Sequence, residues 1–286
     1  MKKLLILTSL VCLFCCNPST ASTVIMDYQG ETVVQQQSVE RNLLINSDDD
    51  GIYNIAVRPL ESELRSNDGK YVIPLSNLYI NNTHEDVYLR YNEYSNLFYN
   101  LQMGGIAKNM TAKIRDYGMV PAGIYSMNFE IQATDVETGS IASMTTFNLQ
   151  FIVPVKQEIN LHSEVSEINI TAENAFKKNQ KIVNERSPMV YINSNTDWVL
   201  SLRADDLKED VSNYYVRTIA SSPKVNERLQ EKTLITPGKE IIIAKGAAPS
   251  NNEYVTVEYS IESKDNKVIR AGKYDNRVKY ILREAR

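Results

Sequence analysis

Apolar and polar residues alternate along this chain with period two. Tyr125, Met127, Phe129 and Ile131 alternate with Ser126, Asn128 and Glu130, and Phe147, Leu149 and Phe151 with Asn148 and Gln150. Val255, Val257, Tyr259 and Ile261 alternate with Thr256, Glu258 and Ser260, and Tyr274, Val278, Tyr280 and Leu282 fall in phase near the end. Successive side chains of a strand point to opposite faces, so each run predicts a strand with one dry and one wet face. The clusters NSDDDG (46–51), SNDGK (66–70), APSNNE (248–253) and SKDNK (263–267) mark turns between such runs. No helical period is interleaved. The pattern predicts an all-β chain of two consecutive Ig-like antiparallel β-sandwich domains.

The boundary is expected in FIVPVKQEI (151–159), because Pro154 cannot sit in a central ladder and a new alternating run follows it. The expected division is a signal peptide (1–21), a lead-in without a clean period (22–46), a first sandwich (47–154) and a second (155–286). Within the lead-in, Val24, Met26 and Tyr28 alternate, so 23–28 is expected to pair within its own domain or stay disordered, or else to add as a strand to a neighbouring molecule.

Two sequence echoes suggest sandwiches of related build. Ala-Gly-x-Tyr occurs at 122–125 and at 271–274. Gly123 and Gly272 are expected at the third position of type II turns, where positive φ is required, with the tyrosine as the first inward residue of the next strand. YINNTHEDVYLR (79–90) also echoes YINSNTDWVLSLR (191–203). Val87 and Leu89 in the first copy, and Trp198, Leu200 and Leu202 in the second, are expected to face inward, with Trp198 in the core.

The beginning, MKKLLILTSLVCLFCCNPSTAS, has two lysines, a short apolar run and the small residues Ser19 and Ala21. This is the pattern of an export signal cleaved after Ala21. The competing arrangement is a lipoprotein acylated at Cys16, although Cys15 rather than a small residue precedes it. All three cysteines lie in this segment, so a chain cleaved there has no disulfide and no thiolate metal site. Cleavage removes Lys2 and Lys3 and takes the formal charge from −4 to −6. That balance gives no attraction for nucleic acid or anionic membranes. No later run is long and apolar enough for a transmembrane helix. The expected location is the periplasm or cell surface.

Candidate chemistry is sparse. Asn46, Asp48 and Asp50 match the first half of a calcium loop, but the bidentate glutamate such a loop needs is replaced by Val57, so a polar turn is expected. His84 and His162 are the only histidines and neither sits in a nucleophile or metal motif. No catalytic residues, metal or cofactor are expected. VYLRYNEYSNLFYN (87–100) is rich in tyrosine. Tyr88, Tyr91, Tyr94 and Tyr99 are candidate contacts to a glycan or protein partner, with strand packing as the alternative use of the same rings.

Ala271, Gly272, Tyr274, Val278 and Tyr280, and more loosely Ala122, Gly123 and Tyr125, resemble the terminal strand of pilin-type sandwiches, found in chaperone–usher pilus subunits and spore-coat-U-like proteins. INSNTDWVLSL resembles a strand of bacterial envelope sandwiches. The resemblance implies a sandwich able to accept or donate a strand. Such pilins often carry a disulfide, which this chain lacks. The expectation is an exported, non-enzymatic envelope protein with a structural or adhesive role, such as a fimbrial subunit. The alternatives are a periplasmic chaperone or assembly factor with two Ig-like domains, and a glycan-binding module. The expected partners are envelope proteins, reached by β-strand addition, or a glycan.

Overall fold

The structure is a computed structural model. It describes residues 23–285, apart from 35–37, 105–106, 116–118, 163–167, 169, 172–180, 208–211, 265–266 and 270–275. Ala21, Cys16 and Gly272 therefore lie outside the described residues.

The first part of the chain contributes β1 (Val24–Val34), β2 (Ser38–Ser47), β3 (Ile52–Pro59), β4 (Glu63–Ser66), β5 (Val72–Pro74), β6 (Leu78–Asn81), β7 (Asp86–Tyr88), β8 (Ser95–Gln102), β9 (Lys108–Arg115), β10 (Gly123–Asp135) and β11 (Ile141–Val153). One sheet has the order β1-β2-β9-β6-β7, and the other β5-β4-β10-β3-β8, with β11 on the far side of β10. All pairs are antiparallel. The dry faces meet as predicted: Leu43, Ile45, Leu78, Ile80 and Ile114 from one sheet bury against Ile55, Val57, Met127, Phe129, Ile131 and Phe151 from the other. Pro59 ends β3, Leu60 N–H donates to Asn128 O (2.9 Å), and β4 resumes on the same edge of β10.

The lead-in is strand. Val24, Met26, Val39, Leu43 and Ile45 belong to this core, and β1 pairs with β2 from Val24↔Ser47 to Val34↔Val39. Of the fates expected for residues 23–28, pairing within the chain is the one that forms. β1 also guards the outer edge of β11. Val24 N–H donates to Ser143 Oγ (3.1 Å), Thr145 Oγ1 to Val24 O (3.0 Å) and Ile152 N–H to Thr32 Oγ1 (3.0 Å). Covering unpaired strand backbone in this way blunts edge-to-edge association.

The second part contributes β12 (Gln157–Leu161), β13 (Lys181–Val183), β14 (Met189–Ser194), β15 (Trp198–Asp206), β16 (Ser212–Ser221), β17 (Val225–Arg228), β18 (Thr233–Leu234), β19 (Glu240–Gly246), β20 (Ser250–Ser263) and β21 (Arg277–Glu284). Its sheets run β12-β14-β20-β16-β18, with β13 also on β20, and β17-β19-β15-β21. Trp198, Leu200 and Leu202 are fully buried in a second core with Val190, Ile192, Val255 and Val257. Gly246 lies opposite Trp198, and a Cβ there would stand 2.3 Å from the indole, so only glycine leaves room for the ring.

Residues 154–156 join the two. Asn195, almost fully buried, ties this link down: its Nδ2 donates to Pro154 O (2.8 Å) and its Oδ1 accepts from Lys156 N–H (2.7 Å). Its backbone carbonyl accepts from Ala122 N–H (2.7 Å), in the Ala-Gly turn of the first core.

Both echoes are modified by the structure. The tyrosine of the first Ala-Gly-x-Tyr is inward, as expected: Tyr125 is fully buried and its hydroxyl donates to Pro121 O (3.0 Å). Gly123 has positive φ, but at +152° it is far from the roughly +80° of a type II turn. The second echo is not a topological repeat. β6 and β7 form a hairpin in one sheet, Tyr79 opposite Tyr88, whereas β14 and β15 lie in different sheets. The inward positions were still legible, because alternation marks a face without naming the sheet: Leu89 and Trp198 are buried and Val87 packs on the first core.

Candidate functional site

β7 and β8 are the last strands of the two first-core sheets and adjoin at one edge of that sandwich. β7 is three residues long, and its neighbour β8 is irregular. The register of β8 on β3 shifts twice, and Asn100 takes φ +49° while its N–H reaches Asn54 Oδ1 (3.0 Å). Such bulging breaks alternation. Leu97 points inward, while Tyr99 and Asn100 are both left on the surface. The loop 89–94 is pinned by buried Leu89 and by Asn92, whose N–H donates to Pro59 O (3.1 Å) with φ +59°.

All four tyrosines singled out from the sequence are exposed here: Tyr88 by 67%, Tyr91 by 58%, Tyr94 by 40% and Tyr99 by 66%. They do not form one cluster. Tyr88 lies beside Tyr79 with ring centroids 5.9 Å apart. Arg115 stands over the Tyr79 ring at 4.2 Å and pairs with Asp86 at 3.2 Å. Burial pushes the Tyr79 hydroxyl up to about 12. Tyr94 lies across the other sheet: its hydroxyl bonds the Glu130 carboxylate and Arg58 stands 5.1 Å from its ring. Burial first, then that hydrogen bond, raises the Tyr94 pKa. The Tyr99 hydroxyl accepts from Asn96 Nδ2 (2.7 Å). The tyrosines thus straddle the edge, Tyr88 on one sheet and Tyr94 and Tyr99 on the other.

Beside Tyr99 the surface opens into a depression of roughly 460 Å³, walled by the turn after β6, by β8 and by Lys108 at the start of β9. Asn82 builds the turn. Its Oδ1 accepts from His84 N–H (3.0 Å) and Glu85 N–H (2.9 Å), and its Nδ2 donates to Leu97 O (2.6 Å), joining the turn to β8. The sequence places His84 and Glu85 in a turn but gives no sign of Asn100 and Lys108 as their neighbours. The only local signal is the asparagine pair, whose side chains favour such turns.

The other candidates lie elsewhere. In 46–51 two acidic side chains are engaged by the protein: Asp48 Oδ1 accepts from Thr23 N–H (2.8 Å), and Asp49 Oδ1 from Gly51 N–H (3.1 Å) and the Tyr53 hydroxyl (2.7 Å). The turn expected from the sequence is what forms. His162 packs edge-on to Tyr191 at 6.5 Å, in the second part of the chain. Among the described residues no group of His, Cys, Asp and Glu is placed to hold a metal ion. Among them, also, no helix is long and apolar enough to cross a membrane.

No family model matches the sequence, and no curated protein matches it. Among solved structures, the chain is similar to the CupB6 tip adhesin from Pseudomonas aeruginosa (10% identity, 91% of this chain and 92% of that one, TM-score 0.39). It is similar to a point mutant of the CFA/I enterotoxigenic E. coli adhesin CfaE (10%, 93% and 82%, TM-score 0.32), and to the class 5 fimbriae chaperone CfaA (12%, 91% and 100%, TM-score 0.28). Superpositions this loose leave function to be argued from the chain's own residues.

Proposed function

We propose that this chain is an exported, non-enzymatic adhesive protein of the cell envelope, and that the β7–β8 edge is its contact surface. The observation that carries the proposal is the exposure of four tyrosines within twelve residues, on both sides of one sandwich edge. Tyrosine supplies a large, rigid contact area with a polar tip at low entropic cost, which is why it is favoured where a surface meets a partner. A tyrosine used only for strand packing has no need of two-thirds exposure. Strand donation by residues 23–28, as in a fimbrial subunit, is set aside because β1 is committed to β2.

The test compares cells producing the wild-type chain with cells producing a variant in which Tyr88, Tyr91, Tyr94 and Tyr99 are all serine. Attachment to the cells' natural substratum is measured at equal surface amounts, with folding checked by circular dichroism. Attachment should fall to that of cells lacking the protein. Undiminished attachment would refute the proposal.

A further inference from the structure

We propose that the depression beside Tyr99 binds a neutral glycan. This rests on the adhesive reading above and names its ligand class.

The depression, open to solvent, has a volume of roughly 460 Å³, within the range of small-molecule sites. Its walls are held in place. Asn82 cross-links turn and strand, and positive φ is held at Thr83 (φ +79°) within that turn and at Asn100 (φ +49°) in β8. Positive φ in a β-branched residue is costly and persists only where the surroundings impose it. The Tyr99 ring is oriented in advance by its bond from Asn96, so little freedom is lost when a ligand stacks on it.

The lining selects the chemistry. Among the described residues, the side chains of His84, Glu85, Asn100 and Lys108 make no hydrogen bond or ion pair within the chain. Together they offer a carboxylate that only accepts, an ammonium that only donates, and an amide and an imidazole that do both. One carboxylate and one ammonium cancel, so a phosphate or sulfate gains nothing overall. Leu97, Phe98 and Leu101 complete the lining with apolar wall, so the matching ligand carries both polar and apolar faces. A sugar matches the set, since each hydroxyl both donates and accepts, while its C–H face packs on the exposed Tyr99 ring.

The purified chain, residues 22–286, would be applied to an array of neutral hexose and N-acetylhexosamine oligosaccharides, and the bound one titrated by calorimetry. Tyr99→Ala should weaken binding about tenfold, the scale of one aromatic contact. Tyr99→Phe, which keeps the ring, should retain most of it. Glu85→Ala and Lys108→Ala should each cost about three- to thirtyfold. Ile242→Ala, at an exposed position of β19 in the second part of the chain, should leave the affinity unchanged. Periodate oxidation of glycans on the natural substratum should abolish attachment. Attachment that survives periodate but is lost in the four-tyrosine variant would overturn the glycan, leave the adhesive reading standing and indicate a protein ligand. Array binding indifferent to Tyr99→Ala would overturn the site. Attachment indifferent to all four tyrosines would overturn the adhesive reading itself.

Discussion

The indole Nε1–H of Trp198 donates to Ser250 Oγ at 2.8 Å, with both residues fully buried. The serine hydroxyl in turn donates to Ala247 O (2.9 Å), so β15 and the start of β20, in facing sheets, are joined by a satisfied polar pair within an apolar core. A buried donor without a partner costs far more than the net gain of making the bond.

Ser250→Ala should therefore destabilise the second core by about 1–3 kcal/mol. The chain has one tryptophan, so intrinsic tryptophan fluorescence in a urea titration follows that core alone. An unchanged midpoint would show that the indole finds another acceptor.

Gly123→Ala should destabilise the first core by about 1–3 kcal/mol through backbone strain alone. An added Cβ would meet only ordinary contacts, Tyr125 Cε2 at 3.8 Å and Ser66 Cβ at 4.0 Å, so sterics do not contribute. Calorimetric melting of the whole chain should show the first-core transition lowered and the tryptophan-reported one unmoved. If neither moves, the positive φ is not required.

Asn195→Ala should loosen the junction without unfolding either core. It strips partners from Pro154 O and Lys156 N–H while the backbone bond to Ala122 persists. Hydrogen exchange at the Lys156 amide and proteolysis within 154–156 should both accelerate. Unaltered protection at Lys156 would mean that this side chain does not hold the link.

Alkali should weaken the second core. The Tyr259 and Tyr280 hydroxyls bond each other at 2.7 Å, and burial raises both, Tyr280 to about 12 and Tyr259 well above its usual 10.0. A raised pKa means that the native state holds protons the unfolded chain has released. The stabilisation is therefore complete below pH 10 and lost as pH climbs from 10 through 12. Urea midpoints by tryptophan fluorescence should fall across that window, and Tyr280→Phe should flatten the fall. A wild-type midpoint constant over that window would contradict the buried, neutral pair.

The sequence by itself determined which residues face inward. Tyr125, Met127, Phe129 and Trp198 are buried as their alternation demands, because a strand's side-chain period is a local property. It also determined the turn at 46–51, where Asp49 accepts from the backbone of Gly51, and it singled out four tyrosines that prove exposed. Only the tertiary structure decided which strands share a sheet. Tyr79 and Tyr88 pair across a hairpin, whereas the matching stretch at 191–203 is divided between sheets, since partner choice depends on contacts far along the chain. The fate of β1 was likewise non-local: its place is set by β2 on one side and by β11, some 120 residues away, on the other. The depression had no legible signature, because His84, Asn100 and Lys108 meet only after two bulges in β8 and the pairing of β9 with β2 and β6 bring three separate segments to one edge.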